Sequence, residues 1–122
     1  MGQKILIVED EDLIAKVLSI RFENLGYAVF VAGDGEAGLA TVKKEKPDLV
    51  LLDLGLPKID GTTLCELIKT DAALKNTKVI ILTGKRLMGD MENSFQAGAD
   101  LYVNKPYEWE RLLAQVKKLL AA

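Results

Sequence analysis

Histidine is absent from the 122 residues and cysteine occurs once, as Cys65. The first absence removes the histidine-containing zinc-finger ligand sets and every mechanism built on an imidazole base, and the second excludes an internal disulfide. Between Leu64 and Leu67 on the third helix, Cys65 reads as a small core or boundary residue with no chemistry of its own. A basic run is also lacking: sixteen Lys and Arg against eighteen Asp and Glu leave a net charge of −2, so nothing would neutralise a row of nucleic-acid phosphates. No apolar stretch approaches the ~20 residues that span a bilayer, and the start Met1-Gly2-Gln3-Lys4 lacks a signal-peptide apolar region. Leu6 stands where myristoylation at Gly2 would need Ser or Thr. The expectation is a cytoplasmic protein with no membrane insertion and no direct nucleic-acid binding.

What is present suits one domain spanning residues 1–122, since 49% hydrophobic residues at this length can bury a real core. Ile5-Leu6-Ile7-Val8 is a short, wholly apolar run of the kind covered on both faces in a parallel sheet. Leu13, Ile14, Val17, Leu18, Arg21 and Phe22 follow at helical spacing, stopped by Gly26. The pair then recurs. Strands over Tyr27–Ala32, Leu49–Asp53, Val79–Thr83 and Leu101–Asn104 lead into helices over Glu36–Glu45, Thr62–Thr70, Arg86–Ala97 and Trp109–Leu120. Five strand-helix pairs predict an open α/β/α domain with helices on both faces of a five-stranded parallel sheet, because parallel strands need right-handed crossovers; the reading taken for it, with the family resemblance described below, is the doubly wound, flavodoxin-like order 2-1-3-4-5.

In open α/β sheets ligands bind beyond the carboxyl ends of the strands. Here those ends lead into Glu9-Asp10, Ala32-Gly33, Asp53, Thr83 and Lys105. Each has a bland explanation alone: a turn former, a helix cap, a solvated lysine. Four polar ends on one edge of one sheet point instead to phosphate or metal chemistry. Three crowded carboxylates sharpen the point, since a pair ~4 Å apart repels by ~4 kcal/mol at an effective dielectric of ~20. Something positive must sit among Glu9, Asp10 and Asp53, and the candidates are the Lys105 ammonium and a divalent cation. Mg²⁺ suits a site of few carboxylates because it completes its shell with water and phosphate. A metal-only site would not explain Thr83 and Lys105. A phosphoryl site explains both, with Asp53 as nucleophile, Lys105 and the cation neutralising phosphoryl oxygens, and Thr83 bonding the product.

These residues resemble the response-regulator receiver domains of two-component systems along the whole chain. The likeness rests on Lys4-Ile5-Leu6-Ile7-Val8-Glu9-Asp10, on Pro47-Asp48-Leu49-Val50-Leu51-Leu52-Asp53 with Leu56-Pro57 and Asp60-Gly61, on Ile80-Ile81-Leu82-Thr83-Gly84, and on Ala97-Gly98-Ala99-Asp100-Leu101-Tyr102-Val103-Asn104-Lys105-Pro106. The resemblance implies a phosphoacceptor at Asp53 and Mg²⁺ (or Mn²⁺) bound by the side chains of Asp10 and Asp53, by Glu9 through water, and by the Gly55 backbone carbonyl. It implies phosphoryl contacts from Thr83 and Lys105, a cis peptide at Lys105-Pro106, and a switch formed by Thr83 and Tyr102. The donor it implies is a phosphohistidine on a histidine kinase or histidine phosphotransfer protein. The output it implies is a change in the face made by the fourth helix, fifth strand and fifth helix, read by a downstream protein target. Such a domain acts as a monomer or dimerises on phosphorylation. It promotes its own phosphorylation and dephosphorylation only, and is not an enzyme in the usual sense.

Gly55 departs from the family habit of a longer, often polar residue two after the phosphoacceptor, which leaves room for hydrolytic water; Lys85 would shield the same approach. Gly33-Asp34-Gly35-Glu36-Ala37-Gly38 spells a dinucleotide fingerprint, but on the second strand-helix turn and with acidic residues where a pyrophosphate would sit. Tyr107 and Trp109 read either as packing between the fourth and fifth helices or as partner anchors beside them, with Met88, Met91 and Phe95 of the fourth helix nearby. Two rival functions remain in view. A phosphorylation-independent interaction module has no need to hold Asp10, Asp53, Thr83 and Lys105 together, and an aspartyl phosphatase lacks its general acid because position 55 is glycine.

Overall fold

The computed structural model describes residues 2–53, 58–74, 76–83 and 98–121. Strands β1 (Lys4–Val8), β2 (Ala28–Ala32), β3 (Leu49–Asp53), β4 (Lys78–Thr83) and β5 (Leu101–Asn104) form one parallel sheet in the order β2-β1-β3-β4-β5. Among the described residues, helices α1 (Asp12–Asn24), α2 (Gly35–Glu45), α3 (Gly61–Thr70) and α4 (Trp109–Ala121) cover it. The doubly wound order is the one expected from the sequence. The helix expected over Arg86–Ala97, with Met88, Met91 and Phe95, lies outside the described residues, as do Gly55, Leu56-Pro57, Gly84 and Lys85.

Period-two alternation along the central strands divides the apolar residues between two cores. Leu6, Val8, Val50, Leu52, Val79 and Ile81 pack with Val42 of α2 and with Leu64, Cys65 and Ile68 of α3. Ile5, Ile7, Leu49, Leu51, Ile80 and Leu82 pack with Ala15, Leu18 and Phe22 of α1 and with Leu112 and Val116 of α4. Each large side chain removed from water contributes about 1.5–3 kcal/mol, so both helix layers are bound to the sheet by hydrophobic burial.

Local signals set the helix ends. Asp34 Oδ1 accepts from the Ala37 N–H at 2.8 Å to start α2, and Asp60 Oδ1 accepts from the Thr63 N–H at 2.9 Å to start α3. Past α1 the chain turns at Gly26 with φ +96, a conformation that favours glycine. At the opposite edge of the sheet from the strand carboxyl ends, Lys69 Nζ meets Asp100 Oδ2 at 2.7 Å and donates to the Thr77 carbonyl at 2.7 Å. Asp100 Oδ2 in turn accepts from the Val79 N–H at 2.8 Å, tying α3 and the lead into β5 to the start of β4.

Candidate functional site

Parallel pairing aligns the strand ends that carry the polar residues. Val8 pairs with both Ala32 and Leu52, Asp53 with Leu82, and Thr83 with Asn104, so the segments after β1, β3, β4 and β5 emerge side by side. Carboxylate oxygens of Glu9, Asp10 and Asp53 all lie within 4.8 Å of one another. Lys105 Nζ reaches into the same cluster, 3.4 Å from Glu9 Oε1 and 3.7 Å from Asp53 Oδ1. The Lys105 N–H donates to the Thr83 carbonyl at 2.6 Å, and the Lys105-Pro106 peptide is cis. The backbone of Lys105 is thereby tied to the end of β4 while its ammonium spans β1 and β3.

Electrostatics follow from burial. Glu9 is 2% exposed, and burial raises its pKa to about 7 even though its carboxylate accepts the Glu11 N–H at 3.2 Å and faces Lys105; the neighbouring Asp53 charge adds to the rise. Burial would lower the pKa of Lys105, but the Asp53 and Glu9 carboxylates outweigh it and the group is held above its ordinary value. The ammonium is therefore charged throughout the neutral range. Three convergent hard oxygen donors of mixed exposure, one buried, one half-buried and one exposed, fit a small divalent cation that keeps water in its shell.

Thr83 closes β4 at 1% exposure, and alternation turns it, like Val79 and Ile81, toward the α2–α3 side of the sheet. Tyr102 packs on that same core and pairs with Ile81, so Thr83 and Tyr102 share a face on adjacent strands. Of the sequence-predicted residues, Glu9, Asp10, Asp53 and Lys105 come together at one edge, and Thr83 ends the strand beside them. Gly55 lies outside the described residues.

Trp109 lies against α1 and Tyr107 lines a groove with it, while the fourth helical segment beside which both were expected lies outside the described residues. The Trp109 ring sits edge-on to Phe22 at 5.0 Å, with the Arg21 guanidinium 4.9 Å over its face. The physical reason is layering, since α4 and α1 share the Ile5–Ile7–Leu49–Leu51 side of the sheet. Sequence reasoning also missed an apolar groove of about 730 Å³ beside Lys105, walled by Leu13, Val17, Pro106, Tyr107 and Trp109. Leu13 is 75% exposed there. A signal was present: Leu13, Ile14, Val17, Leu18 and Ile20 span an apolar arc wider than one core-facing stripe requires.

A family profile described as the response regulator receiver domain matches residues 5–117. The DNA-binding dual master transcriptional regulator RpaA of Synechocystis is 40% identical over 117 residues, covering 96% of this chain and 48% of the relative. This chain spans about half the length of the curated relatives it matches. A CheY-like receiver domain protein from Methanospirillum hungatei superimposes with a TM-score of 0.94 at 33% identity over 99% of this chain and 95% of that one. The receiver domain of a sensor histidine kinase from Pseudomonas aeruginosa, solved with magnesium coordinated in its active-site cleft, gives 0.90 at 30% identity over the full length of both chains. The architecture and the polar strand ends define a phosphorylation-switch class of signalling domain. This chain belongs to the response regulator receiver domain family.

Proposed function

We propose that residues 1–122 form a receiver domain that accepts a phosphoryl group on Asp53 from a phosphohistidine of a histidine kinase or histidine phosphotransfer protein, in the cytoplasm. The observation that carries this reading is the bridge from Lys105 Nζ to both Asp53 and Glu9 inside the three-carboxylate cluster. Asp10 and Asp53 would hold Mg²⁺ or Mn²⁺ through their side chains, Glu9 through water, and Gly55 through its carbonyl. When bound, the ion would offset negative charge on the phosphoryl oxygens.

An Asp53 carboxylate oxygen forms the new O–P bond in line with the breaking N–P bond; the imidazole leaves with the electron pair and is reprotonated from solvent. Lys105 holds the transferred group by charge, and the Thr83 hydroxyl then bonds one of its oxygens. That bond favours an inward Thr83, Tyr102 on the shared face follows, and the surface around β5 and the flanking helices changes for a downstream target. The phosphoryl group shifts a two-state population through contacts it makes in one state only. The groove beside Lys105 supports a protein donor, since its apolar walls suit side chains of a docked helix. We assign direct nucleic-acid contact to none of these residues.

The test is backbone amide NMR with beryllofluoride, a non-hydrolysable phosphoryl mimic, in Mg²⁺. Shifts concentrated at the ends of β3 and β4 and along β5, abolished by Asp53→Asn or by removing Mg²⁺, are expected. An unchanged spectrum in the wild type would overturn the switch.

A further inference from the structure

Among the described residues no strand pairs with the outer edge of β2, and that edge lacks the devices that usually guard one. Ala28-Val29-Phe30-Val31-Ala32 carries no charged side chain and no proline, and Val31 is 48% exposed. The strand is also a palindrome about Phe30. At the opposite edge β5, Leu101-Tyr102-Val103-Asn104, has no such symmetry. The Ala28 N–H donates to the Gln3 carbonyl and the Glu9 N–H donates to the Ala32 carbonyl, both at 3.0 Å. A parallel ladder uses alternate residues, so Ala28, Phe30 and Ala32 turn their backbone groups to β1, while those of Val29 and Val31 point away from the sheet.

We propose that β2 pairs antiparallel with β2 of a second copy of this chain, about a twofold axis at Phe30, joining the two sheets into one. Centred there, Val29 opposes the second copy's Val31 and Val31 opposes its Val29, so each pair exchanges both of its N–H···O bonds. A register slipped by one residue would set outward-pointing backbone groups against inward-pointing ones. Phe30 faces its own twin and Ala28 faces Ala32, so every cross-strand pair is apolar. The flanking helix agrees with this geometry. Because α2 packs over both β1 and β2, its axis would run about two strand spacings, roughly 9–10 Å, from its twin, a distance at which helices pack. Glu36, Ala40 and Lys44 form one exposed stripe of α2, and Ala40 and Lys44 border a groove with Phe30 and Val31. The Glu45–Lys4 ion pair at 3.7 Å places the Lys44 end of α2 at the amino ends of the strands. The twofold reverses the second helix, so Ala40 meets Ala40 while Glu36 meets the second copy's Lys44, and Lys44 its Glu36. This charge complementarity selects a second copy over any other extended chain as the occupant of the edge. The pairing uses neither the phosphoryl group nor the metal.

The test is sedimentation equilibrium of the wild type in chelator with no phosphoryl donor, over about a hundredfold range of concentration. A monomer–dimer equilibrium is expected, with nothing larger, because a twofold pairing closes on itself. Val31→Pro removes an N–H that points away from the sheet, so it should fold and raise the dimer dissociation constant by about tenfold or more. Lys44→Glu sets an acid against Glu36 and should raise that constant by about threefold or more, and adding Glu36→Lys should restore it. A wild type that stays monomeric at about 1 mM, an assembly larger than two copies, or a constant unchanged in folded Val31→Pro overturns the proposal. If Val31→Pro does not accumulate folded, an unchanged constant in Lys44→Glu overturns it instead.

Discussion

Replacing Glu9 by glutamine removes a charge that the folded state holds at a cost. A carboxyl whose pKa rises from 4.5 to about 7 on folding destabilises the native state by up to about 3 kcal/mol once it is ionised in both states. The sign follows from proton binding: below pH 4.5 Glu9 is protonated folded and unfolded, and no cost exists. Between 4.5 and about 7 the unfolded chain releases its proton first, so stability falls as pH rises, and above about 7 the loss is complete. Glutamine keeps the shape and an acceptor for the Glu11 N–H. The assay is urea unfolding of wild type and Glu9→Gln in chelator at about pH 5 and about pH 8. The variant should exceed wild type by less than about 1 kcal/mol near pH 5 and by about 3 kcal/mol near pH 8. A difference that stays constant across that range would refute the reasoning. If the cluster holds Mg²⁺ as proposed, the added ion would narrow the gap by stabilising the native wild type with its ionised carboxylates.

Two further outcomes follow from the surface and the core. Leu13→Glu alters an exposed wall of the groove, so stability should stay within about 0.5 kcal/mol while phosphotransfer from a protein donor slows about tenfold and phosphorylation by a small-molecule donor is unchanged. Equal slowing with both donors would place the defect in the chemistry rather than in docking. Cys65 is fully buried and burial pushes its thiol up to about 11, so a thiol reagent near neutral pH should label it only as fast as the protein unfolds. Rapid labelling of the native protein would contradict the packing of α3.

Much of this molecule was legible in its sequence because the relevant signals are local. Continuous apolar runs such as Leu49–Leu52 mark buried parallel strands, and Gly26 marks the end of a helix that the structure closes at Asn24. Parallel topology then converts strand ends into a site, which is why Glu9, Asp10, Asp53 and Lys105 could be grouped before any distance was known. What escaped is what depends on how layers meet. Trp109 faces Arg21 and Phe22 because α1 and α4 share one side of the sheet, a fact of packing that no spacing within 107–109 encodes. Leu13 fits the helical pattern as well as Leu18 does, yet one is exposed and the other buried, because the sheet covers only part of the apolar arc of α1. Gly35 and Gly38 are alike in sequence, and only the close approach of the Ile59 backbone to the first tells them apart.

The central claim is tested most directly by intact mass after incubation with a small-molecule phosphoryl donor, with and without Mg²⁺, for wild type and Asp53→Asn. The account predicts a gain of one phosphoryl group that requires both the ion and Asp53. No gain in a folded wild type that also fails to respond to beryllofluoride, or an equal gain in Asp53→Asn, would contradict it.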